Sequence, residues 1–224
     1  MTRPVISIDG PSGAGKGTAA QLVAQALDWA LLDSGALYRI VGYAATEAGI
    51  DLDDGTAVAE LAQTLDISFQ PGDAGVLTLL AGEDISAAIR TEEGGAAASR
   101  VAVHPELRSA LMEIQRGFGG NRGLVADGRD MGTVVFPDAP LKIFLTASAE
   151  ARAERRYKQL KDKGESVNLA RLLGDIQERD ERDRSRSVSP LLPADDAIVI
   201  DSTATPIDAV FDTVMADVTA RFGI

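Results

Sequence analysis

A glycine-rich stretch near the start of the chain is the feature that most restricts its fold. It follows a short apolar run, Val5–Ile8, and leads into a helical pattern, Lys16–Leu27. A strand, a Gly-x-x-x-x-Gly-Lys loop and a helix in this order form a phosphate-binding loop. Glycines let backbone N–H groups face an anion, the helix start adds a favourable dipole, and Lys16 adds a point charge. The sequence therefore predicts that a nucleoside triphosphate binds to Gly10, Pro11, Ser12, Gly13, Ala14, Gly15, Lys16, Gly17 and Thr18.

The residue after the loop lysine departs from the usual pattern. This position commonly provides a Ser or Thr hydroxyl to Mg²⁺, but here it is Gly17, and the hydroxyl follows one residue later, at Thr18. We therefore expect Mg²⁺ to be held largely by phosphates and waters, as is common for this ion. No direct protein ligand is assigned, although Thr18 and Asp127 are candidates for contact through water.

Composition excludes several classes of site. The chain of 224 residues has no Cys, which excludes disulfides, thiol catalysis and cysteine metal sites. A single histidine, His104, excludes a multi-histidine metal site, and its place near a predicted helix start favours a surface or capping role. We find neither a membrane-spanning apolar stretch nor a signal peptide, so we expect a cytoplasmic protein with one main core.

Charge is unevenly distributed along the chain. The net charge is −12, which argues against a nucleic-acid partner. Residues 152–186 are nevertheless basic, with 11 Lys and Arg against 8 Asp and Glu. A local basic cluster on an acidic protein suggests a small anionic ligand.

Alternating strand and helix patterns dominate both ends of the chain. The predicted strands are Val5–Ile8, Leu31–Asp33, Leu124–Ala126, Leu141–Leu145 and Ala197–Ile200. The main predicted helices are Lys16–Leu27, Ala36–Ala48, Ala149–Lys163 and Ile207–Phe222. Such alternation predicts a parallel sheet covered by helices, with ligands at the carboxyl ends of the strands. The loops Asp9–Lys16, Asp33–Arg39 and Asp127–Asp130 should then meet at one crevice.

The middle of the chain has a different pattern. Leu65–Gln70 and Val76–Leu80 are separated by Pro71–Gly75, which predicts a β-hairpin, and Glu83–Ser86 is a candidate third strand. We interpret residues from about Asp51 to Arg100 as a β-rich inserted subdomain.

Charged residues also crowd two other segments. Asp127, Arg129 and Asp130 follow an apolar strand, which suggests either a structural ion-pair cluster or contacts with a substrate. Arginines recur at helical spacing from Arg152 to Arg156 and from Arg179 to Arg186. Interleaved acids permit a solvent-exposed, salt-bridged helix. Because the chain also has a phosphate loop, we favour the interpretation that these arginines surround a transferred phosphoryl group.

Several motifs resemble one known family, the bacterial cytidylate kinases among the nucleoside monophosphate kinases. The similar segments are Gly10–Thr18, Leu32–Arg39, Ile89–Thr91, Asp127–Asp138 and Arg179–Arg186. The resemblance implies a P-loop α/β fold with a five-stranded parallel sheet of order 2-3-1-4-5. It also implies a core of residues 1–34, 101–152 and 166–224, an acceptor-binding subdomain of 35–100 that includes the insertion, and a lid of 153–165.

The resemblance further implies transfer of the γ-phosphate of ATP, with Mg²⁺, to CMP or dCMP. By position, the CMP site would comprise Ser34, Arg39, Ser99, Arg108, Arg129, Asp130, Arg179, Asp183 and Arg186. The residues implied in catalysis are Lys16, Arg129, Arg155 and Arg186. We expect a monomer whose partners are these small molecules, with no nucleic acid or membrane.

Two other functions remain open on the sequence alone. The same fold could phosphorylate UMP, AMP or an alcohol such as shikimate, or the protein could be an ATP-binding switch without a transfer reaction. The chemistry of the base agrees with CMP rather than UMP as the acceptor. The 4-amino group of cytosine can donate to a carboxylate such as Asp130, whereas uracil presents an acceptor at that position.

Overall fold

The computed structural model describes residues 3–72, 75–119, 122–162 and 164–224. The chain divides into two compact units. The first comprises Met1–Asp33 and Phe118–Ile224, and the second comprises Ser34–Gly117.

A five-stranded parallel sheet forms the centre of the first unit. Its strands are β1 (Val5–Asp9), β2 (Ala30–Asp33), β6 (Leu124–Gly128), β7 (Leu141–Thr146) and β8 (Ile198–Asp201). Their order across the sheet is β2-β6-β1-β7-β8, and all neighbouring pairs are parallel. Counted among these five alone, the order is 2-3-1-4-5, so the predicted fold class and topology are confirmed.

Helices surround this sheet. They are α1 (Lys16–Leu27), α6 (Ala149–Asp162), α7 (Leu169–Arg184) and α8 (Ile207–Phe222), with a π-helical turn at Met131–Val135. Apolar residues of α1 and α8, such as Val23 and Val214, pack with strand residues such as Ile8 and Ile143 in one buried core. The predicted helices Lys16–Leu27 and Ile207–Phe222 are confirmed with these bounds.

The proposed lid, 153–165, falls mostly within a regular helix. Residues 153–162 are the carboxyl-terminal part of α6, and α7 begins at Leu169. Helix α6 ends at Asp162, and Lys163, which was predicted to end this helix, lies outside the described residues.

The second unit is more helical than its sequence suggested. It contains α2 (Ser34–Glu47), α3 (Gly55–Thr64), α4 (Glu92–Val101), α5 (Pro105–Gly117) and a 3₁₀ turn at Ala88–Arg90. The predicted hairpin is present as β3 (Ile67–Gly72) and β4 (Gly75–Leu80), followed by the short strand β5 (Glu83–Asp84). Asp73 and Ala74, in the predicted turn, lie outside the described residues.

The interpretation of residues 51–100 as β-rich is therefore wrong in part. Asp54 caps α3 by accepting from the Ala57 N–H at 3.0 Å, and Thr91 caps α4 by accepting from the Gly94 N–H at 3.0 Å. Such capping stabilises helix starts whose composition alone is ambiguous. The glycines and alanines of Glu92–Val101 gave a weak apolar pattern, so these caps were the usable signal.

Within the described parts of the chain, no helix combines the length and apolar character needed to cross a membrane.

Candidate active site

The glycine loop starts where the central strand of the sheet ends. Gly10, Gly13 and Gly15 all have positive φ, at 144°, 79° and 95°. A Cβ on Gly10 would lie 1.9 Å from the Leu145 carbonyl oxygen, so neither the conformation nor the space admits a side chain there. Gly15 caps α1, whose first residue is Lys16. The loop thus places free N–H groups and a helix start at the carboxyl edge of the sheet.

Lys16 is buried at this helix start, with 5% of its surface exposed. Its Nζ donates to the Pro11 carbonyl at 3.0 Å and lies 3.9 Å from Oδ1 of Asp127. Burial, followed by repulsion from Arg129, lowers the pKa of Lys16 to about 8. The cation is thus only partly compensated by the protein, so an incoming phosphate would gain from its charge.

Asp127 is the acid nearest to Lys16. It lies between the buried residues Ala126 and Gly128 of β6, and its strand neighbours are Ile8 on β1 and Asp33 on β2. Burial raises the pKa of Asp127 to about 6, although Lys16 acts in the opposite direction. A Cβ on Gly17 would lie 3.3 Å from Oδ2 of Asp127. The carboxylate therefore borders the position where related loops have a hydroxyl.

The strand order explains why these groups meet. Because β2, β6 and β1 are adjacent and parallel, the same edge of the sheet holds Asp33 and Asp9, which end β2 and β1, and Asp127, which is the second-last residue of β6. The three strand ends that the alternating pattern predicts to meet are therefore adjacent in the first unit, while a crevice that also includes residues 34–39 stays a prediction.

An arginine and acid cluster follows the end of β6. Arg129 Nε donates to Oδ2 of Asp183 at 3.0 Å, and Arg186 donates to the other oxygen of Asp183. Asp183 is 1% exposed. Burial acts to raise its pKa, but Arg129, Arg186 and Arg179 together hold the pKa below its usual value. Four of the five predicted substrate residues in this unit therefore share one electrostatic cluster.

Asp130 is the fifth predicted substrate residue of this unit, and it follows Arg129 directly in the sequence. It is 4% exposed and immediately precedes the π-helical turn, whose Val134 N–H donates to the Asp130 carbonyl at 2.9 Å. Turns of π-helix occur frequently at functional sites.

The other four predicted substrate residues belong to the second unit. Ser34 is the buried first residue of α2, and Arg39 on the same helix donates to the carbonyls of Ile89 at 2.7 Å and Thr91 at 3.1 Å. Arg108 donates to the Ala102 carbonyl at 3.1 Å and lies 5.6 Å from the centre of the Tyr38 ring.

Ser99 has a distinct environment in this unit. It is 2% exposed, and its hydroxyl has no hydrogen-bond partner among the residues that the structure describes. An unsatisfied buried hydroxyl is costly, so it marks a group that a ligand could satisfy.

Arg155 is directed to backbone oxygens of the first unit. Its guanidinium donates to the Ser202 carbonyl and lies 3.3 Å from the Ser202 hydroxyl. That hydroxyl donates to the Ala14 carbonyl of the glycine loop at 2.9 Å. Arg155 is therefore linked to the loop through Ser202, and contact with nucleotide phosphates would require it to leave these acceptors.

Sequence reasoning missed one cation that touches the glycine loop directly. Arg152, which is 2% exposed, donates to the Ser12 carbonyl at 3.1 Å and forms an ion pair with both oxygens of Asp180. Its Cβ would lie 3.3 Å from a Cβ placed on Gly13. The face shared by Arg152, Arg155 and Arg156 was visible in the sequence, but the acid that compensates Arg152 lies on another helix.

Across the described ranges, we find no group of three His, Cys, Asp or Glu side chains that could hold a metal ion.

Sequence comparisons with known proteins indicate the same family. The family model described as cytidylate kinase matches residues 6–220. The cytidylate kinase of Aeromonas salmonicida is 57% identical over 220 residues, which are 98% of this chain and 96% of that protein. The cytidylate kinase of Pseudomonas aeruginosa is 58% identical over 214 residues, which are 95% of this chain and 93% of that protein.

The solved structures with a similar fold include more distant proteins. A shikimate kinase from Bacteroides thetaiotaomicron has 14% identity and a TM-score of 0.45, with 99% of each chain covered, a similarity too low to bear on the acceptor. The family model and the two relatives match nearly the whole length of the chain. The chain therefore belongs to the cytidylate kinase family.

Proposed function

We propose that the protein transfers the γ-phosphate of ATP to CMP or dCMP, which gives ADP and CDP or dCDP. The observation that supports this most strongly is identity of 57% with a cytidylate kinase over almost the whole of both chains. The buried Lys16 at the start of α1 supplies the matching chemistry, since a phosphate loop binds the donor.

We assign ATP to Gly10 through Thr18. The N–H groups of the loop and the start of α1 would bind the β- and γ-phosphates, and Lys16 would neutralise charge that develops during transfer. A phosphate beside Lys16 adds an opposite charge, which raises the pKa of Lys16 above its value of about 8 in the free protein. Lys16 would therefore be fully cationic in the complex at pH 7.

We propose that Mg²⁺ accompanies ATP. The residues present fit an ion that keeps most of its waters: the Asp127 carboxylate borders Gly17, and the Thr18 side chain is exposed one residue later. When bound, Mg²⁺ would neutralise charge on the transferred group. Asp127 and Thr18 would hold its waters.

The acceptor needs no catalytic base. The second pKa of a phosphate monoester is about 6, so a CMP phosphate oxygen is already anionic at pH 7. The protein has to align two anions and stabilise the charge between them. We assign this work to Arg129 and Arg186, whose positions Asp183 fixes by accepting from both.

We assign the remaining predicted substrate residues by type. Asp130 would accept from the cytosine amino group, while Ser99 and Arg108 would donate to the ring. Ser34 and Arg39 would contact the CMP phosphate, and Arg179 with Asp183 would contact the sugar. The unsatisfied Ser99 hydroxyl supports a ligand contact at that position.

We also propose that residues 153–165 act as a lid through Arg155. In the structure Arg155 donates to the Ser202 carbonyl. On closure, a nucleotide phosphate would replace this carbonyl as the acceptor of Arg155. Hydrogen exchange across 152–162 should then slow when a bisubstrate analogue binds. Equal exchange with and without the analogue would indicate a static helix.

An acceptor panel tests the function directly. With ATP and Mg²⁺, CMP or dCMP should give the highest kcat/KM among CMP, dCMP, UMP, AMP and shikimate, with CDP or dCDP identified as the product. A preference for another acceptor would overturn the assignment, and release of ADP that no acceptor stimulates would favour a switch. Light scattering with and without both nucleotides tests the proposal that the protein acts as a monomer.

A further inference from the structure

A buried carboxylate lies directly before the glycine loop. Asp9, the last residue of β1, is 5% exposed. Its Oδ1 accepts from the Met131 N–H at 2.8 Å, and its Oδ2 accepts from the Gly132 N–H at 2.7 Å. The function proposed above assigns no task to this acid.

The two N–H groups belong to the start of the π-helical turn Met131–Val135. The first N–H groups of any helical turn have no acceptor within it. Asp130, directly before the turn, makes no side-chain cap. Asp9 therefore supplies from β1 the cap that the turn lacks, with a negative charge at the end where it is favourable.

A second feature brings the turn close to the sheet. A Cβ on Gly132 would lie 2.7 Å from Oγ of Ser7 and 3.3 Å from Oδ2 of Asp9. A side chain at Gly132 would have to displace the Ser7 hydroxyl or move the turn away from β1. Ser7 precedes Asp9 by two residues on the same face of β1, so the close approach and the two hydrogen bonds fix the turn at one place.

We propose that Asp9 is a positioning residue that fixes Arg129 and Asp130 relative to the glycine loop. It is covalently joined to Gly10 on the donor side and hydrogen-bonded to the two residues that follow Asp130 on the acceptor side. The proposal rests on the assignment of Arg129 and Asp130 to CMP.

The electrostatic environment of Asp9 supports this role. Burial raises its pKa to about 7, while the Gly132 and Met131 N–H groups lower it; Asp130 raises it and Lys16 lowers it. Burial therefore opposes the ionised form that the two N–H groups favour, and buried acids with such a shifted pKa are often found at functional sites.

Asp9→Asn is the first test. Asparagine keeps one acceptor oxygen but turns an NH₂ toward the other N–H, so one of the two bonds is lost. The kcat/KM for CMP should fall about tenfold or more, because the loss of a charged hydrogen bond raises the free energy of the transition state by about 1.4 kcal/mol or more. The ratio of CMP to UMP efficiency should fall as well, because Asp130 shifts. The Kd of a non-hydrolysable ATP analogue should change by a smaller factor than kcat/KM for CMP, since both hydrogen bonds of the carboxylate go to the turn and its interaction with Lys16 is weaker than either of them.

Gly132→Ala tests the same contact while Asp9 keeps its charge. It should reproduce the loss for CMP, because the new Cβ displaces the turn. Ser7→Ala removes the oxygen that this Cβ would meet, and within the described ranges the Ser7 hydroxyl has no hydrogen-bond partner to lose. Ser7→Ala alone should therefore behave as wild type, and the double variant Ser7→Ala/Gly132→Ala should recover part of the CMP efficiency of Gly132→Ala.

The outcomes separate this proposal from others. Equal losses for CMP and the ATP analogue in Asp9→Asn would mean that Asp9 supports the whole fold, and unchanged kinetics would mean that it positions nothing; either result overturns the proposal. Amide exchange at Met131 and Gly132, measured by NMR, should be faster in Asp9→Asn, and unchanged exchange would also overturn it. If wild type fails to phosphorylate CMP in the acceptor panel, the proposed function fails, while the exchange measurement still decides whether Asp9 holds the turn.

Discussion

Two buried cations flank the glycine loop, and the protein compensates them very differently. Arg152 on α6 donates to the Ser12 carbonyl and pairs through two bonds with Asp180. Lys16 donates to one carbonyl, and its nearest acid, Asp127, is 3.9 Å away. The charge of Arg152 is satisfied by the fold, whereas the charge of Lys16 is left available to a ligand.

This difference separates structural from chemical roles for residues of similar burial. Arg152 is 2% exposed and Lys16 is 5% exposed, so burial alone would not distinguish them. A paired buried charge costs stability when its partner is removed. A buried charge with weak partners has a shifted pKa, as Lys16 does, and such groups are often found at functional sites. Substitutions at the two positions should therefore change different observables.

The largest expected effect is the loss of stability in Arg152→Ala. The substitution leaves the buried Asp180 carboxylate without its cation, so the free energy of unfolding should fall by about 3–5 kcal/mol, measured by urea denaturation. Arg171→Ala is a matched control on α7, because Arg171 and Asp175 form an exposed pair at 3.9 Å and should contribute at most about 1 kcal/mol.

A double variant sharpens this test. Arg152→Met/Asp180→Leu removes both charges, so it should recover much of the stability. It cannot restore the donation to the Ser12 carbonyl, so the KM for ATP should stay raised. A double variant with wild-type KM would show that Arg152 contributes nothing to the loop beyond stability.

The second prediction is the converse result for Lys16→Ala. Transfer should fall by about 10²–10³-fold, because a preorganised charge in the transition state is lost. The free energy of unfolding should not decrease, since a buried cation with weak partners is removed. Turnover above about a tenth of wild type, a loss below ~1.4 kcal/mol, would contradict the assignment of the phosphate loop.

The same contrast explains what the sequence could predict. The loop around Lys16 is a local structure, in which strand, glycines and helix follow each other without interruption, so its geometry could be inferred from spacing. The order of the sheet came from the family resemblance. Helices α3 and α4 were missed because their glycine- and alanine-rich patterns are weak and their caps are single residues.

Long-range partners could not be inferred in the same way. Asp180 lies on another helix from Arg152, Ser202 is 47 residues from Arg155, and Asp9 is 122 residues from Met131. The sequence shows that the aspartates and arginines among these residues are charged. What each one contacts depends on tertiary packing, and a single sequence gives no measure of that.

A third prediction extends the comparison to a buried acid, Asp130. If its carboxylate accepts from the cytosine amino group, Asp130→Ala should lower kcat/KM for CMP by an amount equivalent to about 1.5–3 kcal/mol. UMP should lose much less, because its oxygen at that position is repelled by a carboxylate. If Asp130 only orients Arg129, both substrates should suffer alike. An unchanged ratio of CMP to UMP efficiency would exclude the base-reading role.

The smallest expected effect is the pH dependence of stability from Asp9. Its pKa is raised from 3.8 to about 7, chiefly by burial, so the native state binds this proton more tightly than the unfolded chain does. The contribution of Asp9 to the free energy of unfolding should therefore decrease as the pH rises through about 7, and remain constant at higher pH. Between pH 6 and pH 8 the expected decrease is about 1.4 kcal/mol.

Urea denaturation of wild type and Asp9→Asn at pH 6, 7 and 8 measures this term, because asparagine does not titrate and groups that do not interact with Asp9 contribute similarly to both proteins. Lys16 does interact with Asp9, which raises the pKa of Lys16, so Lys16→Ala and Lys16→Ala/Asp9→Asn are compared at the same pH values. The free energy of unfolding of Asp9→Asn relative to wild type should rise with pH. Asp130 and Lys16 face the same carboxylate, and they act on its pKa in opposite directions. A difference between the two proteins that stays constant from pH 6 to pH 8 would mean that Asp9 is ionised throughout this range. The two N–H groups of the π-helical turn and Lys16 would then compensate its charge as completely as Asp180 compensates Arg152.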